Sequence, residues 1–148
     1  MKQFLVIGIL LAAFSANTHA QKKKSIVMNN IKSVVVYEQK LDKSNEKAIK
    51  DSEAFFDNQG NTIEEIEYEN GKVKKHTKYE YDDDGNKVKE IELSSTGKPI
   101  STLVYEYNTD DQKIKETELN PSGTPIKITE YKYDGDLKVE KTVYDGSK

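Results

Sequence analysis

The chain has 148 residues, with 23 basic residues, all of them lysine, against 26 acidic ones and a net charge of −3. That length suits one domain rather than two, and with no cysteine there is no disulfide to staple it. The lack of arginine and the slightly acidic balance argue against a nucleic-acid binder, which needs a basic footprint and planar forks for phosphate and guanine.

Residues 1–20 read as a secretory signal peptide. Lys2 supplies the positive start, Phe4 to Phe14 is an apolar run, and Thr18-His19-Ala20 ends in small residues, so cleavage is expected after Ala20. The run is too short for the roughly 20 residues a membrane span requires, so no span is expected. The exported chain would reside in the periplasm or outside the cell. Lys22-Lys23-Lys24 and the residues up to 30 read as a flexible leader into a β-repeat domain over 31–148.

Val34-Val35-Val36-Tyr37 opens that domain as a β-branched strand. The stretch 44–56 admits a helix capped at Ser44, but its end matches later strands, and a strand is the preferred reading. From there strand and turn alternate about every 13 residues: 63–69, 72–81, 87–93, 100–107, 113–119, 126–133 and 137–144. Asn70-Gly71, Asp84-Gly85-Asn86, Ser95-Thr96-Gly97, Ser122-Gly123 and Asp134-Gly135 carry hairpin-turn chemistry. Pro99 and Pro125 precede strands at matching places, where a missing N–H costs no ladder bond. Such short connections join antiparallel neighbours. The expected fold is all-β: one antiparallel meander of about nine strands, twisted or curled, as an open sheet or a partial barrel.

The organising feature is a repeat. Tyr-x-Tyr occurs at Tyr79/Tyr81, Tyr105/Tyr107 and Tyr131/Tyr133, each 26 residues after the last. In 73–81 the odd positions are largely aromatic or β-branched and the even ones charged, which predicts one aromatic face and one charged face. The returning strands place Val88, Ile91 and Leu93 out of simple alternation. A bulge just after the glycine turn would bring all three to one side.

Tyr79-Glu80-Tyr81-Asp82-Asp83-Asp84-Gly85-Asn86-Lys87-Val88 resembles the YD, or RHS, repeat of secreted bacterial proteins. The copy at 105–114 has Asn108 for the aspartate and Asp111 for the glycine, and the copy at 131–139 is one residue shorter. The resemblance implies a structural hairpin module, as in small secreted bacterial proteins classed as domains of unknown function. It implies no catalytic residue and no cofactor.

The residues offer little for catalysis. His76 is the one histidine beyond the leader and is expected to face solvent between Lys74 and Lys78; one histidine without cysteine makes no ordinary zinc site. No nucleophile–base set can be assembled, so no enzyme is expected. The acidic turns, Asp82 and Asp84 above all, admit a weak calcium site, but turn chemistry accounts for them equally. Tyr79, Tyr81, Tyr105, Tyr107, Tyr131 and Tyr133 are the candidate binding residues, as a cross-strand ladder or a stacking platform for a sugar or peptide. A nine-stranded sheet would present on the order of 1,000 Å² per face, with no covering helix expected. The implied partner is a protein, a polysaccharide or a second copy meeting the apolar face.

Overall fold

The computed structural model describes residues 4–6, 16–39 and 47–146, with side chains over 22–39 and 47–146. Most of the apolar run expected for the signal peptide lies outside the described residues. So does most of the polar, turn-like stretch 41–47.

Nine antiparallel strands follow one another in chain order. They are β2 (Ser33–Glu38), β3 (Ile49–Phe56), β4 (Thr62–Glu69), β5 (Lys72–Tyr81), β6 (Lys87–Leu93), β7 (Pro99–Tyr107), β8 (Lys113–Leu119), β9 (Pro125–Asp134) and β10 (Leu137–Asp145). A three-residue strand, β1 (Phe4–Val6), lies parallel on β2. The order is linear, with no pairing between first and last strands, so the meander does not close into a barrel. The stretch ending at Phe56 is a strand, as its match to the later repeats predicts.

The turns explain the spacing. At Asp57, Asp82, Ser94, Asn108 and Asn120, the first residue's N–H reaches the carbonyl four residues on, at 2.8–3.0 Å. Its side-chain oxygen accepts that residue's N–H in return, at 2.8 Å for Asp57 and Asp82 and 3.1 Å for Ser94. Asp, Asn and Ser can close this ring, which is why they open the turns. The fourth position takes a positive φ. Gly60, Gly85, Gly97 and Gly123 fill it without strain, and Asp111 fills it at φ 58°.

By their internal contacts the residues form two units, 1–76 and 77–148, with the boundary inside β5. In the first unit, helix α1 (Ala16–Met28) supplies a cap. The expectation of a leader without a covering helix is corrected here, since Lys22 to Met28 is helical. Ile26 is buried, as is Phe56 of β3, and Gly60 lies so close to α1 that an added Cβ would meet Val27 at 2.9 Å. The helix ends where Asn30 turns left-handed at φ 49°, with the Ile31 N–H closing on the Ile26 carbonyl at 3.0 Å and the Asn30 N–H on Val27 at 3.1 Å. A groove of about 470 Å³ beside it is lined by Lys22, Val34, Val36, Ala54 and Ile66.

In the second unit, among the described residues, the fully buried side chains are threonines, Thr77 and Thr129, each 2% exposed. No aliphatic or aromatic side chain there reaches burial. This unit is one layer of sheet, wet on both faces.

Candidate functional site

Along a regular strand, residues i and i+3 point to opposite faces. The strands after the turns are not regular. Between Glu80 and Tyr81 the pairing with β6 slips past Val88, and between Glu106 and Tyr107 the pairing with β8 slips past Ile114. These are the bulges expected after the turns. The extra residue puts Lys87 on the same side as Glu90, and Lys113 on the same side as Glu116. Each pair forms an ion pair at 2.7 Å. A slip past Asp51 does the same in the first unit for Lys50 and Glu53, at 3.0 Å.

The lysines lie over the tyrosines. Lys87 sits 4.7 Å from the ring centre of Tyr79 and 5.8 Å from that of Tyr105; Lys113 sits 4.9 Å from Tyr105 and 5.5 Å from Tyr131. Lys138 follows at 4.1 Å from Tyr131 and 5.8 Å from Tyr133. Tyr79, Tyr105 and Tyr131 thus form one row across the strands, interleaved with ammonium groups. Each contact of this kind is worth about 0.5–1 kcal/mol at a surface. Tyr107 and Tyr133 act at the turn end, where their hydroxyls donate to the Lys87 and Lys113 carbonyls at 2.9 Å. Tyr81 stands beside them, opposite Lys87. In the first unit Lys50 lies 5.2 Å from the ring centre of Tyr68, whose hydroxyl donates to Glu53 at 3.2 Å.

The row is electrostatically self-contained. Burial, reinforced by the charges of Glu90 and Glu116, pushes the Tyr105 hydroxyl well above the ordinary tyrosine range. Burial likewise raises Tyr107 and Tyr68. Partial burial is the largest influence on Lys113 and works against its charge, but the hydrogen bond to Glu116 and the charges of Glu116, Tyr131 and Tyr107 together outweigh it and raise it. Tyr105 thus stays neutral and Lys113 stays charged, which is the state that holds their contact together.

All six candidate tyrosines are half-buried and lie on one face. Their cross-strand neighbours are charged rather than aliphatic. Tyr79 stands opposite Glu90 and Tyr105 opposite Glu116, whereas Ile91 stands opposite Lys78 and Val104 opposite Thr117. The aliphatic residues therefore sit on the other face, among the pairs Lys89–Glu80 at 3.2 Å, Lys115–Glu106 at 3.0 Å and Lys132–Glu140 at 3.0 Å. Neither face is simply aromatic or simply charged, because the bulge inverts which residues of the returning strand meet the tyrosines. Lysine and glutamate share the tyrosine face. Their signal was present as Lys-x-x-Glu at 87/90 and again at 113/116, but its spacing makes sense only once the bulge is known.

Two other sites change. His76 is not a plain surface residue: its Nε2 lies 2.6 Å from Glu64 Oε1, and its side chain is 17% exposed. The Asp82 carboxylate is engaged by Asn86, through the backbone N–H at 2.8 Å and the side-chain amide at 3.4 Å. Among the described residues no group of three or more His, Asp or Glu side chains gathers as a metal site. A shallow groove of about 260 Å³ on the aliphatic face is lined by Glu106, Lys115, Glu130, Lys132, Glu140 and Tyr144. Its lysines are paired with its carboxylates, and Tyr144 donates to Glu130 at 3.2 Å.

No protein-family model matches the chain, and no curated protein does. Among solved structures it is similar to S. aureus TarM. One, a mutant in complex with fondaparinux, alpha-GlcNAc-glycerol and UDP, has a TM-score of 0.32 and 11% identity over 90% of this chain and 25% of that one. A second TarM structure has a TM-score of 0.32 and 12% identity over 90% of this chain and 24% of that one. The chain spans about a quarter of the length of those proteins. At that score the likeness is loose and lends this chain no activity.

Proposed function

We propose that the chain is an exported, non-enzymatic interaction module of YD-like hairpin repeats, with the row led by Tyr79, Tyr105 and Tyr131 as its working face. The observation that carries this reading is the single-layer second unit. Its tyrosines are half-exposed, and among the described residues of that unit no helix or second layer covers them. Tyrosine presents an apolar ring with a polar tip, a combination suited to protein or polysaccharide surfaces. Export rests on Lys2, the apolar run from Phe4 and the small residues before Gln21.

A second reading has its own observation. The ammonium groups of Lys87 and Lys113 already occupy the space over the rings, as they would in a purely structural envelope or secreted repeat component. Replacing Tyr105 and Tyr107 by serine separates the two. The binding role predicts a folded variant that no longer co-sediments with insoluble bacterial cell-wall polysaccharide. The structural role predicts a variant whose circular dichroism shows the second unit unfolded. Unchanged fold and unchanged co-sedimentation would remove the tyrosine face from consideration.

A further inference from the structure

The most exposed apolar cluster of the second unit is not on either face but at its rim. β10 pairs with β9, and among the described residues no strand lies beyond it. Leu137, Val139, Val143 and Tyr144 are 68%, 56%, 53% and 46% exposed. Their repeat equivalents on interior strands, Val88 and Ile114 for Val139, Leu93 and Leu119 for Tyr144, are half-buried. The difference is a missing neighbour strand.

The ladder is also unfinished there. Lys87 and Lys113 each lie between a tyrosine of the strand before and a tyrosine of the hairpin after. Lys138 contacts Tyr131 and Tyr133, both on β9, and its outer side is open.

The backbone shows which groups are available. Gly146 N–H donates to the Ile126 carbonyl at 3.1 Å. Antiparallel pairing alternates from that bond, so Tyr144, Thr142 and Glu140 bond to β9, while Lys141 and Val143 turn their N–H and C=O groups outward. An exposed row of this kind is a template for another strand.

We propose that the β10 edge pairs with the β10 edge of a second copy, antiparallel and about a two-fold axis near Thr142. That register sets Lys141 opposite the second copy's Val143 and Val143 opposite its Lys141, so the outward backbone groups satisfy each other. It sets Glu140 opposite the second copy's Tyr144, whose hydroxyl donates to Glu130 of its own chain at 3.2 Å. Charge favours the match. The strand carries Lys138 and Lys141 toward one end and Asp145 at the other, and antiparallel self-pairing runs the basic end of each copy along the acidic end of its mate. Edge lysines ordinarily guard against strand addition; in this register Lys141 stands opposite Val143, with Asp145 of the second copy as its diagonal neighbour on the same face. Other partners would need their own strand with the same polarity, whereas the second copy carries it by symmetry.

The test is molar mass by light scattering during size exclusion, over a wide concentration range, for the native sequence and two variants. Val143→Pro removes an outward N–H and no bond to β9. Val143→Lys leaves the backbone intact and adds a charge to the seam. The expected result is a concentration-dependent doubling of mass for the native chain, and a monomer with unchanged circular dichroism for both variants. Should Val143→Pro fail to fold, Val143→Lys alone decides. A native chain that stays monomeric throughout overturns the proposal. So does a dimer that survives Val143→Lys; if Tyr105→Ser with Tyr107→Ser disperses that dimer, the contact is on the tyrosine face instead.

Discussion

The two units use one strand-and-turn grammar and are held together differently. Residues 1–76 have what a small domain ordinarily has, a helix laid on a sheet with apolar side chains, Ile26 and Phe56, shut away from water. Among the described residues of 77–148 there is no such helix and no buried apolar side chain. Their aliphatic side chains stay half-wet, and order is kept by repeated tyrosine–lysine–glutamate contacts of modest individual strength. A sheet does not need a second layer if long side chains shield it: the stems of lysine and glutamate cover apolar surface while their charges remain hydrated.

The largest test of this contrast is truncation. Phe56→Ala should destabilise the first unit by about 3–5 kcal/mol, the range for emptying a buried aromatic site. Val104→Ala, at a half-wet position in the second, should cost clearly less. Hydrogen exchange followed peptide by peptide would report each unit, and equal losses would dissolve the distinction.

A matched pair of glycines gives a smaller effect. Gly60 and Gly85 occupy the same turn position at φ 79° and 88°. A methyl group at Gly85 meets open space, whereas at Gly60 it meets Val27 and the Lys23 carbonyl. Both alanine variants bear the left-handed backbone cost, about 1–2 kcal/mol. Gly60→Ala should lose a further 1–3 kcal/mol or so as α1 is displaced, measured as the difference between their urea midpoints.

The mildest effect is alkaline. Folding raises the Tyr105 hydroxyl above its ordinary value of 10.0, so the unfolded chain releases that proton first. The associated stability is complete below about pH 10 and is lost as pH rises from there toward the folded value. Tyr107 and Lys113 shift in the same direction. Above about pH 10 the urea midpoint should fall, and Tyr105→Phe should flatten the fall. An unchanged slope would mean that Tyr105 ionises in the folded state as readily as in water.

Much of the fold was legible because turns advertise themselves. Asp, Asn and Ser ahead of glycine fixed the hairpin ends, and tyrosine pairs 26 residues apart fixed the period. The bulges at Val88 and Ile114 could also be inferred from broken alternation. Their consequence could not, because a bulge exchanges faces for everything downstream, and Ile91 therefore parted from Tyr79. Helix α1 was hidden by its lysines, since Lys22-Lys23-Lys24 reads as an unstructured leader until Ile26 is seen against the sheet. His76 looked like one more polar residue among lysines; its partner Glu64 lies on the neighbouring strand, and pattern alone carries no register.

The recurrence of each junction has a consequence for how such a chain can change length. The reach from Lys87 to Tyr105 is the reach from Lys113 to Tyr131, and the turn opened by Ser94 has the bonding of the turn opened by Asn120. Excising residues 94–119 would join Leu93 directly to Asn120 and hand Lys87 the tyrosine that Lys113 now holds. Duplication of the same segment would be equally seamless. Gene-level slippage in whole repeats would then lengthen or shorten the sheet like links in a chain, with every seam already provided.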